Sequence, residues 1–143
     1  MILPITLTTA GAAAILNLWL AMRAGRVRMA SKVSIGDGGH AALTARMRAH
    51  ANFVEYAPFI VILIGLIELA GGNANLLWGA SILFILARIA HAFGMDVEKV
   101  PNPLRAGGIL VTFLLLIGLA GWALSIPYTS GTAETGTEVV PMG

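Results

Sequence analysis

Four polar side chains crowd the run Arg48-Ala49-His50-Ala51-Asn52-Phe53-Val54-Glu55-Tyr56, directly ahead of a long, mostly apolar stretch. Ionisable groups at the mouth of a membrane helix are expensive to keep there and point to function. Further along, Arg88 and His91 sit three apart and Arg105 follows a proline-bounded loop, while Arg23, Arg26 and Arg28 close the first apolar stretch. If these groups meet, three to five guanidiniums face one carboxylate, that of Glu55. The surplus of positive charge calls for an anionic ligand, because Arg forks grip carboxylate and phosphate through two parallel hydrogen bonds.

Whether they meet depends on the elements that carry them. The chain has 143 residues, 57% of them hydrophobic and only 11% charged, with a mean hydropathy of +0.84. A soluble domain carries roughly 25% charged residues, so this composition belongs in a bilayer. The length suits one bundle of a few spans. With no cysteine, disulfides, thiolate metal sites and a Cys nucleophile are excluded. Three dispersed histidines give no metal-ligand spacing. A net charge of +2 and a pI near 9.5 could suggest nucleic acid. Basic residues arranged around membrane spans are more simply topology determinants, and no nucleic-acid partner is expected. The first apolar stretch is full length and lacks a basic leader, so it reads as a span and not a cleavable signal.

Four spans are expected, at about residues 2–22, 43–70, 74–94 and 104–125. About 20 apolar residues cross the hydrocarbon core. Gly71-Gly72-Asn73 supplies a turn, and Pro101 and Pro103 break the third connection, with Pro103 placed to start the last helix. The expected fold is all-α, an antiparallel transmembrane four-helix bundle over residues 1–126 followed by a flexible polar tail, 127–143. All nine basic residues lie in or near the first and third loops: Arg23, Arg26, Arg28, Lys32, Arg46 and Arg48 at one, Arg88, Lys99 and Arg105 at the other. By the positive-inside rule both loops are cytoplasmic and both termini lie outside. Trp78, Trp122 and Tyr128 then fall at the outer interface and Trp19 near the inner one.

This topology brings Arg48, His50, Asn52, Glu55, Arg88, His91 and Arg105 to one level. At ~100° per residue, Arg48, Asn52 and Glu55 share one helical face while His50 lies nearly opposite. Either His50 faces a different neighbour or the site lies between subunits. Plainer roles stand beside the functional one. The arginines and Lys32 can hold topology and touch anionic lipid. Glu55 can be a buried partner of Arg48 or Arg88, and His50 and His91 can each satisfy a backbone carbonyl. Asn17, Glu68 and Asn73 read as interhelical or interfacial ties. The Gly36-Asp37-Gly38-Gly39-His40 run follows no strand and reads as a turn, not a phosphate loop.

The motif Arg48-Ala49-His50-x-Asn52-x-x-Glu55, with Pro58 just beyond, resembles the signature of the MAPEG family (membrane-associated proteins in eicosanoid and glutathione metabolism). Arg88-Ile89-Ala90-His91 is similar to that family's Arg-x-x-His element, and Asn102-Pro103-Leu104-Arg105 to its entry into the fourth helix. Gly25-Arg26-Val27-Arg28 is similar to its exit from the first helix, and residues 33–39 resemble small bacterial members. The likeness spans about residues 2–126. It implies a homotrimer in a bacterial inner membrane, with glutathione as co-substrate between neighbouring subunits near the cytoplasmic face. By position, Arg48, His50, Asn52 and Glu55 would hold its charged and amide groups. Glu55 would suit the ammonium, and Arg28, Arg88 and Arg105, with His91 nearby, the carboxylates or thiolate. Arg88 and Arg105 become the leading candidates to meet the sulfur, where cations lower a thiol's pKa and populate the nucleophile.

The resemblance thus implies a glutathione transferase, with possible peroxidase activity, acting on lipophilic electrophiles or lipid hydroperoxides that arrive through the membrane. Catalytic members often carry a tyrosine where this chain has Met95, and some a serine and a tyrosine where Ala106 and Ile109 stand. Those departures favour the alternative, a non-catalytic scaffold binding lipid or thiol. A transporter or channel ranks last, since the polar groups cluster at one end instead of lining a path.

Overall fold

The computed structural model describes residues 2–96 and 102–130, the last as backbone only, and four helices account for the regular structure of these described residues. They are α1 (Pro4–Ala30), α2 (Ala41–Leu69), α3 (Ala74–Gly94) and α4 (Pro103–Ser130). Each is long and apolar enough to cross a membrane. The all-α four-helix expectation is borne out. Lys99, Pro101 and residues 131–143 of the expected tail lie outside the described residues.

Three helices outrun their expected spans. α1 continues to Ala30 and not merely Met22, because arginine and alanine extend a helix readily once it has left the hydrocarbon. α2 begins two residues early, at Ala41. α4 continues through Pro127 to Ser130, so the helix enters the stretch read as tail. Proline removes one backbone N–H, and a helix already formed on its N-terminal side can carry that loss near its end.

The connections obey local chemistry. Pro4 stands in the first turn of α1. Its free N–H groups are met from a distance: Glu68 accepts from the Ile5 and Thr6 amides at 3.0 and 2.8 Å and from the Thr6 hydroxyl at 2.6 Å. A carboxylate at a helix N-terminus is favourable for both hydrogen-bonding and dipole reasons. The tie expected of Glu68 therefore joins α2 to α1. Gly71, at φ 77°, ends α2, with its N–H bonded to the Glu68 carbonyl and that of Gly72 to Ile67. This is the paired closure that a left-handed residue permits. Asn73 caps α3 through the Leu76 amide at 3.1 Å, and Asn102 caps α4 through the Leu104 and Arg105 amides at 3.0 and 3.2 Å.

Loop 31–40 is braced from both sides. Arg28 donates to the carbonyls of Val33 and Gly36, at 3.4 and 2.9 Å. Asp37 accepts from the Gly39 amide at 3.1 Å and the Thr44 hydroxyl at 2.7 Å. The Gly39 N–H and, second, the Thr44 hydroxyl hold the Asp37 carboxyl below the usual aspartate range. Its folded value lies below its unfolded one, so the brace is complete above about pH 4 and fades as pH falls through the depressed value. The protection factor of the Gly39 amide, by which its exchange is slower than that of an unstructured chain at the same pH, is expected to stay flat from neutral to mildly acid pH and to fall only below that range.

α3 packs most extensively on α4, and α1 on α2, while α2 and α3 form the shared middle. Among the described residues α1 and α4 make no contact. The core runs through Ile60, Ile64, Ile67, Leu77 and Phe84, all fully buried. The half of the bundle away from the polar cluster also holds a buried hydrogen bond between Thr9 and Ser81. The close α3–α4 approach depends on two glycines. A Cβ on Gly108 would lie 2.5 Å from the Ala87 carbonyl and 2.7 Å from His91 Cβ, and one on Gly94 would overlap the Arg105 backbone. Gly108→Ala is expected to destabilise by about 1–3 kcal/mol, as overpacking does. Thermal unfolding in detergent reads the loss, and Gly107→Ala, whose Cβ meets nothing within 4 Å, is the control.

Candidate functional site

The approach of α3 to α4 sets His91 and Arg88 against the start of α4. His91 is buried, and its Nδ1 hydrogen-bonds the Arg105 carbonyl at 3.0 Å, the plainer of the two roles open to it. Arg88 is 1% exposed. Its Nη2 donates to Asn52 Oδ1 at 2.8 Å and its Nη1 reaches Thr112 Oγ1 at 3.5 Å, while the guanidinium lies 5.8 Å from the Phe53 ring centroid. Among the described residues its Nε is a buried nitrogen with no hydrogen-bond partner. Arg88 therefore ties α3 to α2 and α4 from inside the protomer.

The remaining groups divide between a cleft and an outer face. Arg48 and Arg105 line a cleft of about 530 Å³ at the end bearing the long loops, together with Arg46, Asp37, Asp96, Thr44 and Met95. That volume lies within the range of small-molecule sites. Both arginines are exposed, and neither guanidinium has a hydrogen bond or ion pair among the described residues. Glu55 stands two turns beyond Arg48 on the same face, also exposed and without a hydrogen bond or ion pair among the described residues. It is not the buried partner of either arginine, although its charge attracts Arg88.

His50 resolves differently. Its Nε2 pairs with Asn17 Oδ1 at 2.9 Å, so it faces α1 of its own protomer, the first of the two options its helical angle left open. Arg28 is spent on the loop and reaches Met47 Sδ at 3.3 Å. The structure thus joins Arg88 to Asn52 and His91 to the Arg105 backbone, and sets Arg48 beside Arg105 in the cleft. It leaves Arg28, His50 and Glu55 apart from that cleft. Of the two arginines proposed to meet a sulfur, only Arg105 is presented outward. Among the described residues no group of three His, Cys, Asp or Glu could hold a metal.

A sequence model of the MAPEG family matches residues 6–125. The chain belongs to the MAPEG family. It is also similar to inner membrane protein YecN of Escherichia coli K12, with 33% identity over 69 residues. YecN of Escherichia coli O6:H1 matches at the same identity and length. Those matches cover 48% of this chain and 53% of each relative, so the chain spans about half the length of the curated relatives it matches.

One residue of this MAPEG chain escaped the sequence reading and changes its charge count. Asp96, just past α3, pairs with Arg23 and lies 3.4 Å from Arg46 Nε. Arg23 is itself buried, with its guanidinium 4.6 Å from the Trp19 ring centroid and 5.4 Å from that of Phe93. It also donates to the Ala92 carbonyl at 3.3 Å, and Arg46 donates to the Arg23 carbonyl at the same distance. The expectation of several guanidiniums against Glu55 alone is corrected: Asp96 answers one of them, Arg23, and Arg46 besides. The available signal was arithmetic, since three arginines close α1 and any acid on the facing loop competes for them. Asp96→Asn would leave Arg23 buried without a counter-charge. The expected loss is below the ~3–5 kcal/mol of a fully enclosed pair, because the carboxylate retains some solvent. Arg46→Gln should barely move the same melting curve.

Proposed function

We propose that this MAPEG protein is a glutathione-dependent transferase or peroxidase of the inner membrane, working as a homotrimer with its thiol site between neighbouring subunits. The carrying observation is Glu55. Counting about 20 residues back from Leu69 places the hydrocarbon edge near His50. Glu55 then lies roughly 7 Å inside that edge. An exposed carboxylate at that depth needs a cation from outside its protomer. A neighbouring subunit closing over this face would enclose the carboxylate, and the ammonium of glutathione would meet it. The free guanidiniums of Arg48 and Arg105 suit the two carboxylates or the sulfur. Arg88 holds Asn52 in place and acts as a positioning residue. Cations beside the sulfur populate the thiolate, which attacks an electrophilic carbon as the leaving group departs with its electron pair. The electrophile enters from lipid.

The similarity to inner membrane protein YecN of Escherichia coli supports an inner-membrane setting. Charge placement supports a cytoplasmic site and periplasmic termini. A second reading, a non-catalytic binding scaffold, draws on Met95, Ala106 and Ile109, none of which carries a hydroxyl. Tyr56, whose ring packs edge-on to Phe113 at 5.3 Å, carries a hydroxyl on α2 in their stead.

Equilibrium dialysis of glutathione against the purified protein, with native mass measurement of the assembly, tests the site. Binding to a trimer with thiolate absorbance that falls in Arg105→Ala supports the enzyme. Binding without thiolate supports the scaffold. A monomer that takes no glutathione ends both.

A further inference from the structure

A groove away from this site carries a second assignment. Ala12, Ile15, Leu16 and Trp19 of α1 face Ile85 and Ile89 of α3 across an almost wholly apolar furrow of about 420 Å³. The α1 residues recur at the three- and four-residue spacing of one helical face, and that face continues through Arg23 to Arg26. Arg23 turns inward to Asp96. Arg26 is exposed and has no hydrogen bond or ion pair among the described residues. The furrow therefore runs toward a free guanidinium.

Its length fits one leaflet. From Ala12 to Arg26 is a rise of ~21 Å. Half the hydrocarbon core is ~15 Å and one headgroup layer adds ~6 Å. With Arg26 at the phosphate level, the floor at Ala12 falls near the bilayer midplane. Trp19 lies between them, and the neighbouring rings of Trp19 and Phe93, 5.6 Å apart, mark the upper part of the hydrocarbon. We propose that this groove is a binding site for an anionic phospholipid, one acyl chain lying along Ala12, Leu16 and Ile89 and the phosphate resting on Arg26. Charge selects the headgroup, because a basic residue beside the membrane surface favours anionic over zwitterionic lipid. The site is independent of any thiol chemistry.

The test uses the full chain with Trp78 and Trp122 replaced by phenylalanine, leaving Trp19 as the reporter. It is reconstituted in phosphatidylcholine vesicles containing a graded fraction of brominated phosphatidylglycerol or brominated phosphatidylcholine. Phosphatidylglycerol should quench Trp19 at about fivefold lower fraction, the preference expected of one basic residue. Arg26→Gln should erase that difference. Equal quenching by both lipids in the parent chain overturns the proposal, as does a Trp19 shielded from both because a second copy covers the groove. Should the double variant not fold, native mass spectrometry of the unaltered chain and Arg26→Gln gives the same comparison. Retained phosphatidylglycerol lost on substitution supports the site; equal retention overturns it.

Discussion

Alanine in place of Arg88 is expected to lower the stability of the bundle by about 3–5 kcal/mol, whereas methionine should change it by less than about 1.5 kcal/mol. The alanine variant loses a large buried side chain and opens a cavity between α2, α3 and α4. Both variants leave the half-buried Asn52 Oδ1 without the donor that now stands 2.8 Å away, so the cavity is what separates them. Methionine restores most of the volume and removes a charge whose Nε has no partner. Replacing a buried ionic group by an apolar one of similar size is often neutral or favourable. Heat unfolding of both variants in one detergent makes the comparison. If methionine proves as damaging as alanine, the guanidinium itself holds the helices together. If only alanine is damaging, the charge is kept to orient Asn52 for the ligand, and glutathione binding should fall in both variants.

Glu55→Gln should leave the same unfolding curve in place, since this side chain makes no hydrogen bond or ion pair among the described residues. Its effect is expected in binding. Removing one member of a desolvated charge pair at an interface costs about 2–5 kcal/mol, a weakening of about 30-fold or more. Dialysis against glutathione measures it directly, and Glu55→Leu should behave alike while favouring the isolated protomer in lipid. Unchanged affinity in both would remove the α2 outer face from the site.

Much of this architecture was legible in the residues. Hydropathy marked four helices because the bilayer forces every backbone group to be satisfied within its own segment. Gly71 and Asn73 marked the turn between α2 and α3, since left-handed backbone and a capping amide are local properties. The harder parts depend on neighbours. Helical angle separated His50 from Arg48, yet only the crossing of α1 over α2 showed that Asn17 waits on the far side. Asp96 looked like an ordinary loop acid, and its partners are 73 and 50 positions distant. Arg28 matched a motif by position, while its side chain serves the loop. Gly94 and Gly108 carry no chemistry, and their part in setting Arg105 against His91 exists only once α3 and α4 touch.

The order in which Arg88 finds its two hydrogen-bond partners bears on biogenesis. A ribosome delivers α2 before α3 and α3 before α4, so Asn52 is already in the bilayer when the Arg88 segment must leave the translocon. Thr112 arrives only afterwards. For that interval Asn52 is the one of the two partners present to shelter the guanidinium from hydrocarbon, acting as an escort during insertion as well as a support in the finished bundle. A defect at Asn52 is thus felt while the chain is being threaded into lipid. One at Thr112 is felt only when the last helix docks.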